Sequence, residues 1–375
     1  MLIISLAKEI KRYAKSIGID EVKITTAASF PDLKEFLERL AAKDYLSKFV
    51  NRDFELITDP KKILPTAKSV IVCAISYHIE EDNNNLAAQP RGKLARFARI
   101  KDYHDLLGEK LASLVQFLDS EVKGLEAKSF VDTGPALDRA LAKRAGLGWQ
   151  GKNCSIIHPE YGSWLSIGGI ITNLELEADG PLAEQCGDCQ RCIEACPTGA
   201  LREGYILDAQ RCLGYITLSK GYIPEEYRRK MGNRVWGCDS CQEVCPYNQQ
   251  VKEGQGRDFQ LQHLAAYPEL EYLLKLSNQE FVEKFAETAM DWRGKRPIKR
   301  NAAIALGNLK EQESIQVLVN ALADPQAVVR GHVAWALGEL GVAQVVSSLE
   351  QRLAVEKDEQ VQKELRRSIE RLSYK

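Results

Sequence analysis

The chain lacks any hydrophobic run long enough to cross a bilayer. Its longest apolar stretches, such as residues 163–172, fall short of the roughly 20 residues that a membrane helix needs. Residues 1–7 have neither a basic leader nor an adequate hydrophobic region, so we expect no signal peptide. The resulting expectation is a cytoplasmic, reducing compartment, in which disulfides are disfavoured.

An excess of charge of one sign is also missing. The 375 residues contain 51 Lys and Arg against 52 Asp and Glu, which gives a net charge of −1. This balance neither requires nor excludes a nucleic acid partner, so local clusters of charge must decide. A chain of this length has room for two or three domains.

Cysteine is concentrated in one part of the chain, because eight of the ten lie between residues 186 and 245. The first run has the spacing Cys-x2-Cys-x2-Cys-x3-Cys-Pro and starts at Cys186. It matches the bacterial ferredoxin pattern, in which the fourth cysteine ligates the other of two clusters. The second run, Cys-x2-Cys-x3-Cys-Pro, starts at Cys238, and Cys212 lies between the runs. The sequence therefore predicts two [4Fe–4S] clusters and a protein that moves electrons.

The crossing rule assigns four thiolates to each cluster. The predicted ligands of cluster one are Cys186, Cys189, Cys192 and Cys245, and those of cluster two are Cys196, Cys212, Cys238 and Cys241. Structural zinc is an alternative, but its paired C-x2-C knuckles have a different spacing. The two remaining cysteines, Cys73 in an apolar strand and Cys154 after a glycine-rich turn, are predicted to be structural.

The fold class that the pattern predicts is a multi-domain α/β protein. Residues 1–175 alternate strand-like and helix-like segments, as in a mixed α/β domain. Residues 176–250 carry the clusters in a ferredoxin-like domain, and residues 251–290 form a polar, helical linker. The predicted strands are 21–25, 69–77 and 127–131, the helices are 31–42, 101–119 and 135–145, and a hairpin joins 153–157 to 163–172.

Residues 291–375 contain a repeat. The segment 298–309 recurs 31 residues later at 329–340, with aligned Ala-Leu-Gly triplets, and a weaker copy covers 361–372. Two helices in about 30 residues resemble HEAT-type repeats, which stack into a curved surface. An ordinary helical bundle is the alternative.

Asp132 is the carboxylate of greatest interest, because it ends a predicted strand just before a predicted helix. Ligand sites in open α/β sheets lie at the carboxyl ends of strands. An acid there could donate a proton to a reaction driven by cluster electrons. The alternative is that Asp132 caps the helix start.

Three other segments leave alternatives open. Residues 91–101 are rich in base and include Phe97, so they predict either a site for an anionic or planar ligand or a solvated edge strand. Asp102-x-His104-x3-Gly108 is one residue too long for a corrinoid D-x-H-x2-G motif, so we do not expect His104 to be a metal ligand. The turn 146–152 is not a P-loop; its glycines either let a large cofactor approach the backbone or serve only the turn.

Two basic clusters, at residues 228–230 and 291–300, suggest contacts with a phosphate backbone. The alternative is a solvated charged face. The candidate residues are Arg229, Lys230, Arg293, Lys295, Arg296, Lys299, Arg300 and Arg330.

Taken together in this order, these motifs resemble the epoxyqueuosine reductase family, which completes queuosine in tRNA. The resemblance covers nearly the whole chain and is carried by Arg96-Phe97-Ala98-Arg99, Asp102-Tyr103-His104, Val131-Asp132-x-Gly134-Pro135, Gly148-Trp149-x-Gly151-Lys152, the split cysteine motif and Arg300-Asn301-x2-Ile304-Ala305-Leu306-Gly307-Asn308.

The resemblance implies a base-off cobalamin in the N-terminal domain, beside one cluster. It also implies that Asp132 protonates the epoxide oxygen, that the repeats bind tRNA, and that electrons come from a small carrier such as flavodoxin or ferredoxin. The implied cobalamin contacts are Phe97, Asp132, Ser155, Ile156, Ile167 and Tyr215. We expect a monomer. A corrinoid reductase of a small molecule and a non-catalytic two-cluster electron carrier are the alternative functions.

Overall fold

The structure, a computed structural model, describes residues 2–78, 90–132, 134–254, 259–261 and 264–373. The chain divides into two compact units. Unit 1 comprises residues 1–80, 100–212 and 240–260, and unit 2 comprises residues 81–99, 213–239 and 261–375. Among the described residues, no helix combines the length and the apolar character that crossing a membrane requires.

Short strands and helices alternate along the chain. The strands are β1 (Glu21–Thr26), β2 (Ser69–Ser76), β3 (Lys93–Leu94), β4 (Ala127–Val131), β5 (Trp149–Gln150), β6 (Ile156–Ile157), β7 (Leu165–Thr172) and β8 (Arg234–Trp236). The helices are α1 (Leu2–Ser16), α2 (Pro31–Ala42), α3 (Phe54–Thr58), α4 (Pro60–Ile63), α5 (Tyr103–Glu121), α6 (Asp138–Ala145), α7 (Arg191–Glu194), α8 (Leu213–Leu218), α9 (Glu225–Arg228), α10 (Ser240–Glu243), α11 (Leu270–Lys275), α12 (Asn278–Phe285), α13 (Lys295–Leu309), α14 (Ile315–Ala321), α15 (Ala327–Leu340), α16 (Val346–Val355) and α17 (Glu359–Ser373).

Unit 1 is built on a four-stranded sheet in the order β1-β2-β7-β4, and each neighbouring pair is antiparallel. Strand β2 is buried on both faces, which explains its unbroken apolar sequence. Ile71, Cys73 and Ile75 pack toward α1 and α5, whereas the alternate residues Val70 and Val72 pack in the core that contains α6. Cys73 is fully buried, so its prediction as a core residue is confirmed.

The predicted hairpin of 153–157 with 163–172 is wrong in its pairing. Strand β6 pairs with β5, and β7 lies between β2 and β4 in the large sheet. An isolated antiparallel bridge between His158 and Gly162 closes the loop between the two segments. Periodicity alone does not identify a strand's partner, and an eight-residue apolar strand such as β7 is buried best in the middle of a sheet.

The helix predicted at 101–119 begins at Tyr103, because the side chain of Asp102 caps it by accepting the backbone N–H of His104 at 2.9 Å. The helix predicted at 135–145 begins at Asp138. Leu137 occupies its cap position without a side-chain bond, so the alternative role of Asp132 as the cap of this helix is wrong.

Unit 2 contains the helical repeats. Helices α13, α15 and α17 match the three predicted copies and pack side by side. Close approach requires a glycine in the second copy, since a Cβ on Gly338 would lie 2.7 Å from Oγ of Ser368 and 2.9 Å from its Cβ. The segment predicted as a linker contributes α11 and α12, whose Leu270, Leu274 and Phe285 are buried in the same core. Its residues 255–258 and 262–263 lie outside the described residues.

Candidate active site and cofactor cavities

Asp132 follows directly after β4 with a backbone φ of +34°, a region that non-glycine residues rarely adopt. Its Oδ2 accepts a hydrogen bond from the hydroxyl of Tyr103 at 2.7 Å and lies 3.6 Å from Nε2 of His104. Tyr103 and His104 open helix α5, so the capped start of that helix places both against the carboxylate. Backbone strain held by such contacts is a feature of functional sites.

His104 lies between two carboxylates. Its Nδ1 contacts Oδ1 of Asp102 at 2.6 Å, while Nε2 faces Asp132. Burial lowers the pKa of His104, but the interactions with Asp102 and Asp132 outweigh burial and raise the pKa to about 9. Burial disfavours the charged form of Asp132, yet His104 and Tyr103 prevail and lower its pKa. At neutral pH the proton of this group therefore lies on His104, and Asp132 is charged.

A third carboxyl group, Asp138, lies in the first turn of α6. Burial raises its pKa to about 6, with Arg139 acting in the opposite direction and Asp132 adding to the increase. Asp138 therefore titrates closer to neutral pH than Asp102 or Asp132, whose pKa values are lowered. At neutral pH His104 therefore carries a proton, and Asp138 is the one of these three carboxyl groups whose pKa is raised toward neutrality.

A cavity of about 880 Å³ lies in unit 1, toward the upper end of the roughly 300–1,000 Å³ that ligand pockets occupy. Apolar side chains of α2 and the segment after it form much of the wall, and Asp138, Arg139, Lys143, Arg144 and Cys154 complete it. Arg144 is already bonded to the carbonyls of Thr26 and Ala28. Arg139 uses one nitrogen to donate to the carbonyl of Cys154 at 3.0 Å, so its other nitrogens and Lys143 are the cations offered to an anionic part of a ligand.

The six predicted cobalamin contacts lie elsewhere than in the described lining of this cavity. Ile156 and Ile167 are buried in the α6 side of the unit 1 core. Ser155 follows the lining residue Cys154, and Asp132 belongs to the proton network. Phe97 and Tyr215 belong to unit 2. The roles of these residues stay predictions.

The four cysteines predicted for cluster one lie together. Cys186, Cys189, Cys192 and Cys245 line one small cavity in unit 1. The short helix α7 carries Cys192, and Cys245 comes from the second cysteine run. Cys196, the fourth member of the first run, is absent from the described lining and accepts the backbone N–H of Ala200 at 3.2 Å.

The cysteines of this cavity suit a multi-atom cluster better than a single metal ion. In the described parts of the chain, no three His, Cys, Asp or Glu side chains converge as ligands of a single ion. The cysteines of the first cavity instead surround a space, as a multi-atom cluster requires. All ten cysteines are free of disulfides. Of the ligands predicted for cluster two, Cys196, Cys212 and Cys241 belong to unit 1 and Cys238 to unit 2.

The predicted basic residues divide into two groups. Four of them have internal partners in unit 2. Arg229 bonds Glu339, Lys299 contacts Asp324 at 2.5 Å, and Arg330 bonds Glu356 at 2.7 Å. The fourth, Arg300, is buried and donates to the carbonyls of Ser219, Gly221 and Thr217.

The other group is more accessible. Lys230 and Arg296 are exposed, and Arg293 and Lys295 are half-buried. Next to them Trp292 is 55% exposed, with the guanidinium of Arg293 3.8 Å from its ring centre. In residues 91–101, Arg91 donates to the carbonyl of Tyr267 at 3.0 Å.

Sequence reasoning missed several residues of the site. It considered His104 only as a metal ligand, and its acidic neighbours Asp102 and Asp132 were the signal of a proton network. It treated Cys154 as structural, whereas Cys154 lines the large cavity; burial raises the pKa of its thiol to about 11, with Cys192 and Cys212 adding to the increase. Exposed Trp292 stands in a basic run, a pattern typical of RNA contacts.

Family models match three parts of the chain. A 4Fe-4S double cluster binding domain matches residues 185–248, Epoxyqueuosine reductase QueG, DUF1730, matches residues 58–133, and HEAT repeats match residues 263–370. The predicted double-cluster domain and the HEAT-type repeats are thereby confirmed.

Curated relatives match nearly the full length. The chain is 42% identical over 381 residues to the epoxyqueuosine reductase of Bacillus subtilis (strain 168), covering 99% of the chain and 97% of the relative. It is 41% identical over 373 residues to that of Bacillus cereus, covering 99% and 98%.

Solved structures agree with these relatives. A crystal structure of epoxyqueuosine reductase with a tRNA-Tyr epoxyqueuosine-modified tRNA stem loop matches with a TM-score of 0.95 at 42% identity, covering 99% of this chain and 100% of that chain. The enzyme from Streptococcus thermophilus matches with a TM-score of 0.90 at 34% identity, covering 98% and 99%.

Proposed function

The chain belongs to the epoxyqueuosine reductase family, and from this premise we propose which of its residues carry the reaction. It is an oxidoreductase that converts the epoxide of epoxyqueuosine to the alkene of queuosine. The conversion consumes two electrons and two protons and releases one water. The contact of Asp132 with Tyr103 and His104 is the observation that carries the proposal, because it supplies the protons.

We propose that Cys186, Cys189, Cys192 and Cys245 hold one [4Fe–4S] cluster and that Cys196, Cys212, Cys238 and Cys241 hold the second. The first set is supported by the shared cavity and by the absence of Cys196 from its described lining. The second set follows from the crossing rule. When bound, the clusters and a cobalamin supply the low-potential electrons for opening the epoxide.

The large cavity of unit 1 fits a cobalamin. Its volume suits a large ligand, its apolar wall suits aromatic and aliphatic surface, and Arg139 and Lys143 suit a phosphate group. Cys154 brings the wall of this cavity near Cys192 and Cys212. We propose that this cavity, extended toward Asp132, holds the cofactor.

Asp132 is proposed to protonate the epoxide oxygen. In the free site Asp132 is charged, and its carboxylate is 52% exposed. A nucleotide over the site removes water from this carboxylate, and desolvation raises a carboxyl pKa. The proton then passes from His104 to Asp132 and on to the oxygen, so that a hydroxyl leaves in place of an alkoxide. Asp138, which lines the large cavity and has a pKa raised to about 6, is proposed to provide the second proton.

The substrate is proposed to be tRNA bound by unit 2. The residues proposed to contact phosphates are Lys230, Arg293, Lys295 and Arg296, which are exposed or half-buried. Trp292 offers an exposed ring on which a base stacks, as single-stranded RNA recognition commonly uses. The relative with a bound modified stem loop supports this choice of substrate. A small carrier such as flavodoxin or ferredoxin is the proposed electron donor, and the protein is proposed to act as a monomer.

Anaerobically reconstituted protein, cobalamin, a chemical reductant and tRNA carrying epoxyqueuosine test the proposal. Mass spectrometry of the digested tRNA should show queuosine replacing epoxyqueuosine. Equal conversion of the free nucleoside would favour the small-molecule alternative. A protein that holds its clusters and the corrinoid but leaves the modified tRNA unchanged would overturn the proposal.

A further inference from the structure

Trp149, in the glycine-rich turn, has a buried donor without an acceptor. The side chain is 1% exposed, and its Nε1 has no hydrogen-bond partner among the described residues. A buried N–H that is left unpaired destabilises the folded state. The indole N–H groups of Trp164, Trp236 and Trp335 are also unpaired, so the surroundings of Trp149 must show whether its acceptor comes with a ligand.

The surroundings of the indole identify that acceptor. Trp149 packs with Cys186 and Cys245, two of the four cysteines that line the small cavity. The ring of Tyr247 packs against the indole in a T-shaped arrangement, and the two ring centres are 4.9 Å apart. The indole therefore lies between the β5–β6 pair and the proposed site of cluster one.

The Cys186 sulfur already receives positive dipoles from this turn. The backbone N–H of Lys152 and the indole N–H of Trp149 both interact with this sulfur. The indole N–H interacts with the sulfur but does not meet the geometry of a hydrogen bond. The side chain of Lys152 also bonds the carbonyl of Gly187, which ties the turn to the first cysteine loop.

The glycines of the turn make this placement possible. A Cβ on Gly148 would lie 2.4 Å from the carbonyl oxygen of Ile157, so only glycine lets β5 approach β6 at this point. The close pairing of Trp149 with Ile157 sets the depth of the indole. The glycine-rich turn therefore positions Trp149 beside the cysteine cavity in addition to reversing the chain.

We propose that Trp149 donates its indole N–H to the Cys186 sulfur when cluster one is in place, and so raises the reduction potential of that cluster. The positive end of an N–H dipole stabilises the added electron, and hydrogen bonds to the sulfurs are one of the factors that set the potential. The effect is large in a site from which water is excluded. This inference rests on the proposed ligand set of cluster one.

Trp149→Phe removes the donor and keeps an aromatic ring. Film voltammetry of the reconstituted protein should show two cluster potentials, of which one shifts to a more negative value while the other stays. The matched control is Trp164→Phe, a buried tryptophan of unit 1 outside the described lining of the cysteine cavity, and it should shift neither potential. Unchanged potentials in Trp149→Phe at full iron content would overturn the inference.

A second variant removes the N–H alone. Benzothienylalanine in place of Trp149 has the shape of tryptophan and no N–H. If Trp149→Phe loses iron, this variant still shows whether the indole N–H affects the potential of cluster one. It should retain iron and show the same negative shift; full iron with the wild-type potentials would overturn the inference. If the wild-type protein itself fails to hold two clusters, the proposed ligand set fails first, which separates the two outcomes.

Discussion

Nε2 of His104 lies 3.6 Å from Oδ2 of Asp132, and the other ring nitrogen is fixed by Asp102 at 2.6 Å. The imidazolium therefore contributes to stability through two carboxylates. Because its pKa is raised to about 9 from the ordinary value of 6.5, this contribution is complete below pH 6.5 and is lost as pH rises through about 9.

His104→Gln should remove this dependence on pH. The free energy of unfolding in urea, measured from pH 6 to pH 10, should differ most between wild type and variant at low pH. The difference should shrink toward pH 10, since Asp102 and Asp132 stay charged and the pKa of Tyr103 is raised. His158→Gln is the control for losing an imidazole in unit 1. A difference that is constant with pH would contradict the charged state of His104.

Asp132→Asn should abolish proton delivery while retaining the shape of the side chain. We expect turnover of modified tRNA to fall by about 10²–10⁴-fold, the usual contribution of a general acid. Cluster absorbance and corrinoid binding should be unchanged. Asp105→Asn, an exposed acid in α5, should keep full activity. Wild-type turnover in Asp132→Asn would remove this residue from the mechanism.

Cys245→Ser tests the crossed assignment of ligands. Since Cys245 lines the cavity with Cys186, Cys189 and Cys192, its loss should reduce iron from about eight to about four atoms per chain. Anaerobic iron and sulfide analysis, with electron paramagnetic resonance of the reduced protein, measures this. Cys73→Ala, in the core of the sheet, should retain all of the iron. An unchanged iron content in Cys245→Ser would exclude it as a ligand.

Arg296 and Trp292 should contribute to tRNA binding in different ways. Arg296→Ala should make the fall of log affinity with log salt less steep by about one unit of slope, as expected for one lost phosphate contact. Trp292→Ala should weaken binding and leave the slope unchanged, because stacking releases no counterions. Filter binding at several salt concentrations measures both. Equal slopes for wild type and Arg296→Ala would show that Arg296, in α13, does not contact an RNA phosphate.

The sequence predicted the pieces whose signal is local. Cysteine spacing indicated the double-cluster domain, and the Ala-Leu-Gly triplets indicated the helices of the repeats, because both patterns depend on neighbours in the chain. The partner of β6 was missed, because strand pairing depends on distant segments.

Charge was harder to interpret for the same reason. Arg300 and Arg330 have the spacing of a basic surface, yet Arg300 is buried on carbonyls and Arg330 is paired with Glu356. A charge pattern does not show which face of a helix is covered. His104 likewise gained its role only from the turn after β4, which brings Asp132 beside the start of α5.

Arg228 and Glu364 form a bidentate ion pair in the interior of unit 2. Their N–O distances are 2.8 and 2.7 Å, and the side chains are only 3% and 2% exposed. Arg228→Met leaves the carboxylate of Glu364 buried without its partner, so the free energy of unfolding should fall by about 3–5 kcal/mol in urea titrations. Arg367→Met is the control. Its partner Glu225 is 3.5 Å away and the two side chains are 50% and 39% exposed, so the cost should be less than about 1 kcal/mol.

The double variant Arg228→Met with Glu364→Leu separates the charge from the packing. With both charges gone, apolar side chains of similar volume should recover most of the lost stability, because the cost of burying a charge is removed together with the attraction. Binding of tRNA should follow the folded fraction in all of these variants, since neither residue reaches solvent. A double variant as unstable as Arg228→Met alone would mean that the carbonyl bond from Arg228 to Ile223, rather than the ion pair, holds this part of unit 2 together.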